Sequence, residues 1–173
     1  MEEDKQYKID KRMLKIAKFC SEGSYAIRRQ VGAIIVKNNR IISDGYNGTP
    51  SGFPNICENY ITKLDNGKNC YQNIIEPKTF EELLEANKNG CELITKNCVL
   101  HAEANAITKL AKCAESANGA TLYITDEPCI ECSKLIIQSG IKRVVYWRNY
   151  RLHDGINLLK QADIEVKQIE NII

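Results

Sequence analysis

Between residues 101 and 169 the sequence alternates between helical and strand patterns, and this alternation restricts the fold more than any other feature. "HAEANAITKLAKCAE" is rich in helix formers and places Ala102, Ala106, Ile107 and Leu110 on one side. Asn118-Gly119 marks its end, and "ATLYIT" follows as a strand. "IECSKLIIQSG" reads as a helix closed by Gly140, and "RVVYW" as a strand. "GINLLKQAD" and "IEVKQI" give a last helix and a last strand. Repeated helix–strand units of this kind build a sheet with parallel strands and helical cover.

The first half adds a helix and a hairpin. Ile9, Met13, Leu14, Ile16, Ala17 and Cys20 recur at helical spacing. In "QVGAIIVKNNRIISDGYNG" two β-branched runs flank "KNNR", which is a hairpin signal. The expected fold is α/β: three layers, α/β/α, around a mixed five-stranded sheet. One domain over residues 1–173 is expected, with an insertion at about residues 57–98. Within that polar insertion only "TFEELLEANKNG" reads as an element, a short helix capped by Thr79 and ended by Gly90. A connection this long is usually functional or tied by a metal.

Composition narrows the function classes. A chain of 173 residues can bury a real core. No run is apolar and long enough to span a bilayer, and the charged N-terminus lacks the apolar centre of a signal peptide. A cytoplasmic protein is expected, in the host cytoplasm if the source is a virus. The net charge of +2 offers no strong field for gripping nucleic acid. In a reducing compartment the eight cysteines are thiols or metal ligands before they are disulfides. Cys20 and Cys113 fall on apolar helix faces and are expected in the core.

The chemistry gathers at two predicted helix starts. Cys129 and Cys132 stand three apart at one, and His101, one of only two histidines, opens another. Helix N-termini leaving neighbouring strands can face each other at the carboxyl edge of a sheet. Three protein donors and an open fourth position form the catalytic type of zinc site, whereas a closed shell of four is structural. Two helix N-termini would favour both thiolates. Glu103, two residues after His101, is placed to take a proton from a metal-activated water and pass it on. Singly, each feature has an ordinary explanation: a redox pair, a helix cap, a carboxylate complementing a helix dipole. Together, "HAE" followed by "PCIEC" matches the signature of the zinc nucleobase deaminases.

From about Arg28 to Val166 the chain resembles the cytidine deaminase superfamily, and within it the deoxycytidylate (dCMP) deaminases, including those of bacteriophages. "RRQVGAIIVKNNRIISDGYNGTPSGFPN" is similar to that family's hairpin and its "GYNG" loop. "LHAEANAI" and "PCIECSKLIIQSGIKRVVY" are similar to its two zinc helices. The resemblance implies Zn²⁺ on His101, Cys129 and Cys132, with Glu103 as the proton shuttle. It implies attack of a zinc-activated water on C4 of cytosine and release of dUMP, for thymidylate synthesis, and ammonia. It places substrate contacts at Asn47, Ala102 and Tyr150, the last toward phosphate, with Lys112 or Arg151 adding charge. It further implies a homo-oligomer, a hexamer favoured, activated by dCTP with Mg²⁺ and inhibited by dTTP near Arg28, Arg29 and Gly48. Some relatives carry a second, structural zinc, for which Cys57, Cys70, Cys91 and Cys98 are the candidates here, without the histidine those relatives use. The competing functions are a deaminase of dCTP or deoxycytidine, a tRNA adenosine deaminase, and a zinc-stabilised binding protein without chemistry. The near-neutral charge disfavours the tRNA substrate. The presence of Glu103 disfavours the inert protein.

Overall fold

The computed structural model describes residues 2–65, 70–150 and 153–172. In chain order the elements are α1 (Glu2–Ser21), β1 (Gly32–Lys37), β2 (Arg40–Tyr46), β3 (Glu58–Asp65), β4 (Cys70–Ile75), α2 (Phe80–Lys88) and β5 (Glu92–Thr95). They continue with α3 (Ala102–Leu110), β6 (Thr121–Asp126), α4 (Ile130–Gln138), β7 (Arg143–Arg148), α5 (Asp154–Gln161) and β8 (Glu165–Gln168). The chain packs as two compact units. One joins Met1–Ser24, Val31–Asn47 and His101–Ile173; the other joins Tyr25–Gln30 and Gly48–Leu100. Among the described residues no helix is long and apolar enough to cross a membrane.

The first unit holds the mixed five-stranded sheet, ordered β2-β1-β6-β7-β8. β1 pairs antiparallel with both β2 and β6, and the β6–β7 and β7–β8 pairs are parallel. The β1–β2 turn puts Asn38 and Asn39 at φ 50° and 59°. Two consecutive left-handed residues are what a tight hairpin of the favoured hand needs, and asparagine tolerates them. Helices cover both faces. Ala102, Ala106 and Leu110 of α3, Ile136 of α4 and Leu159 of α5 bury one face with Ile35, Leu122, Ile124 and Val144. Met13, Leu14 and Ala17 of α1 bury the other with Ile34, Tyr123 and Val145. The expected three-layer α/β/α arrangement is the one observed.

The second unit holds a three-stranded antiparallel sheet, ordered β4-β3-β5, and α2. Thr79 caps α2 as expected, its Oγ1 accepting from Glu82 N at 3.1 Å. Ile56, Leu83 and Leu93 form a small core with Ile27, Tyr60 and Phe80 packed on it. Order in this segment therefore comes from a sheet and an apolar cluster. The expected second metal finds no support: among the described residues Cys57, Cys91 and Cys98 do not join a group of three metal-capable donors. Cys57 is buried and Cys98 exposed. The side chain of Cys70 lies outside the described residues.

Cys113 also departs from expectation. The helix ends at Leu110, and Ala111, Lys112 and Cys113 donate to carbonyls only three residues back. This tighter winding breaks the helical phase and leaves Cys113 exposed. Cys20 is half-buried against the α1 core, as its spacing suggested.

Candidate active site

His101 and Cys129 are the N-cap residues of α3 and α4, and neither side chain caps its own helix. An N-cap side chain ordinarily accepts from the first-turn N–H groups. These two instead turn toward a common point. Cys129 Sγ and Cys132 Sγ each lie 3.4 Å from His101 Nδ1. All three donor atoms lie within 4.8 Å of one another. Local chemistry explains the turn. Pro128 disfavours helix at Glu127, so β6 cannot run directly into α4. Cys129 stays extended, at φ −71° and ψ 168°, while its carbonyl accepts from Ser133 N at 2.9 Å. Cys132 then falls on the first turn of α4, beside Cys129.

The donor set fits zinc. Ligands at about 2.3 Å (sulfur) and 2.0–2.1 Å (nitrogen) on a tetrahedral centre stand roughly 3.5 Å apart. The two Sγ···Nδ1 separations of 3.4 Å match that spacing. The hydrogen bond from Cys132, with help from His101, pushes the Cys129 thiol down to about 3 despite burial. Donating to Cys129, together with burial, holds the Cys132 thiol well above its usual range. His101 is raised by its hydrogen bond to Cys129. A Cys129 thiol pushed down in this way suits the thiolate form that a metal ligand must take.

Glu103 sits on the first turn of α3 with 3% of its surface exposed. Burial raises its carboxyl to about 7, and Cys132 is among its hydrogen-bond partners. The carboxyl therefore lies against the His–Cys–Cys cluster.

The carboxyl edge of the sheet gathers the neighbouring groups. Gly32 N donates to Thr125 Oγ1 at 3.1 Å, tying the start of β1 to the end of β6. Asn47 follows β2, and its Oδ1 accepts from Val31 N at 2.8 Å. Asn105 of α3 donates to Tyr46 O at 2.9 Å. Asn47 thus stands at this edge, on a backbone fixed to α3.

The matching family is described as the cytidine and deoxycytidylate deaminase zinc-binding region, and it covers residues 7–148. The chain belongs to this family. A deoxycytidylate deaminase of Enterobacteria phage T2 is 37% identical over 174 residues, covering 92% of each chain. The solved structure of a dCMP deaminase from cyanophage S-TIM5, in complex with dCMP and dUMP, is 37% identical with a TM-score of 0.70. It covers 94% of this chain and 97% of that one. A structure from work on tRNA:A34 deaminases, 16% identical at a TM-score of 0.52, shares the fold alone.

The remaining expected deaminase residues are placed as follows. Ala102 is fully buried beside His101. Tyr150 is exposed just beyond β7, and its N–H donates to Glu127 Oε2 at 3.1 Å. Lys112 is exposed in the turn after α3. Arg151 lies outside the described residues. Arg28, Arg29 and Gly48 belong to the second unit. Arg28 Nη1 donates to Thr95 Oγ1 at 3.0 Å, and Gly48 pairs with Leu100 through its backbone. Glu127, an acidic residue between β6 and Pro128 that sequence reasoning did not single out, is buried beside this site.

Proposed function

We propose that this protein hydrolyses dCMP to dUMP and ammonia at the cluster on α3 and α4. The observation that carries the reading is the convergence of two uncapped helix starts on one point, with the buried carboxyl of Glu103 against them. His101, Cys129 and Cys132 would hold Zn²⁺, which supplies Lewis-acid activation of water. Three protein ligands are the number found at catalytic zinc. Glu103 takes the proton of that water and delivers it to N3 of cytosine. The water oxygen bonds to C4, Glu103 moves the remaining proton of that oxygen to the C4 amine, and the C4–N bond breaks as C4=O forms, so that water and dCMP leave as dUMP and ammonia. Asn47 and Ala102 flank the nucleoside and Tyr150 meets the phosphate. The similarity to phage deoxycytidylate deaminases supports a monophosphate over deoxycytidine or dCTP.

The test is a comparison of substrates by uracil formation. The expected result is turnover of dCMP with kcat/KM at least about a hundredfold above that of deoxycytidine, because a phosphate contact is charge-assisted. Tyr150→Phe narrows that ratio. Equal use of the two substrates would overturn the phosphate reading. Repeating the assay with dCTP–Mg²⁺ and with dTTP tests the regulation the resemblance implies, at Arg28, Arg29 and Gly48. Light scattering tests the hexamer that the resemblance implies.

A further inference from the structure

Glu127 lies between β6 and the Cys129 turn, and its side chain has no solvent contact. A carboxylate in such a place needs donors. Those it has come from the segment after β7. Tyr150 N donates to Oε2 at 3.1 Å, and His153 Nδ1 lies 2.9 Å from Oε1 and 3.0 Å from Oε2. The backbone of Glu127 makes the same connection, its N–H donating to Arg148 O at 2.8 Å. One residue thus grips positions 148, 150 and 153. The residue is also two places from Cys129. Tyr150 and His153 are otherwise exposed, Tyr150 by 41% and the His153 side chain by 63%. An exposed tyrosine on a loop would ordinarily sample several positions, and ordering it at binding costs affinity.

We infer that Glu127 is a positioning residue for nucleotide recognition: by holding the Tyr150 backbone and His153, it fixes the Tyr150 hydroxyl relative to the Cys129 turn so that a phosphate is met by a preorganised group. This rests on the reading of dCMP as substrate and of Tyr150 as its phosphate contact. Its consequence is specific. Loosening the clamp weakens recognition of the phosphate and leaves recognition of the base to other groups.

The experiment compares wild type, Glu127→Ala, Glu127→Gln and His153→Ala, each checked for bound zinc and thermal melting. Two readouts are used: the ratio of kcat/KM for dCMP over deoxycytidine, and calorimetric affinity for dUMP against deoxyuridine. Loss of hydrogen bonds to a buried carboxylate is expected to lower the ratio by about tenfold in Glu127→Ala, through KM rather than kcat. Glu127→Gln, whose amide oxygen still accepts from Tyr150 N, is expected to recover part of the loss. The dUMP affinity falls in parallel and the deoxyuridine affinity does not. If Glu127→Ala does not fold, His153→Ala, which removes only an exposed ring, carries the test with a smaller change of the same kind. A wild type that prefers dCMP, loses that preference in Tyr150→Phe, and keeps it in the Glu127 and His153 variants would overturn this inference alone. A wild type without any preference for dCMP would overturn the substrate reading on which it rests.

Discussion

A carboxyl group without solvent contact needs donors around it, and Asp10 has them. It accepts from Arg143 Nη1 and Nη2 at 2.8 and 2.9 Å, from Tyr123 Oη at 3.0 Å and from Gln6 Nε2 at 2.9 Å. Burial alone would raise its pKa, but these bonds, Arg143 foremost, hold it below the ordinary 3.8. A depressed carboxyl contributes stability that is present above its unfolded pKa and is lost as pH falls through the lower folded value. Asp10→Asn is therefore expected to destabilise the protein by about 3 kcal/mol at pH 7, a cost typical of breaking a buried pair. In urea melts the gap between variant and wild type stays constant down to about pH 4 and narrows below it. A gap of constant size through pH 3 would contradict the assignment. Legibility at this scale followed chemistry. His101, Glu103, Cys129 and Cys132 were readable because few reactions need that set at that spacing. Glu127 was not, because its role depends on a partner 23 residues away that only folding brings near. Cys113 was misread because three backbone bonds tightened the turn before it.

Among the elements, β2 passes close against α3 at Gly45. A Cβ there would lie 2.3 Å from Ala102 O and 2.6 Å from Ala106 N, both backbone atoms of α3 that cannot step aside. Gly45→Ala must push the first turn of α3 outward, and that turn carries His101 and Glu103. The expected result is a loss of about 1–3 kcal/mol in stability with a disproportionate loss of activity, of about a hundredfold, since misplacement by an ångström is costly in catalysis. Full activity in a folded Gly45→Ala protein would show that the site does not depend on this approach. The elements from α3 to β8 were legible because apolar helical periods alternate there with β-branched and aromatic runs, and Gly140, at φ 80°, closes α4. β3, β4 and β5 were not. "ENYITKLD", "CYQNII" and "ELIT" show no clean alternation, and Ile74 is 63% exposed. Strands that bury little leave little pattern in the sequence.

For the whole molecule, the first unit contains the zinc-type cluster, Glu103, Asn47 and Tyr150, all at one edge of one sheet. Its helix starts and strand ends meet there as expected for an α/β architecture. The sequence suggested a single domain with an insertion; the structure packs the inserted residues, together with Tyr25–Gln30, as a unit with its own sheet and core. What distinguishes a working deaminase from a zinc-stabilised binding protein is whether Glu103 moves protons. The most direct measurement is dCMP turnover by Glu103→Ala beside its zinc content. The account predicts zinc retained, because Glu103 is outside the donor set, and turnover reduced by about 10³-fold or more, near the upper range for a general acid–base group. A zinc-loaded Glu103→Ala protein that turns over dCMP at the wild-type rate would contradict it.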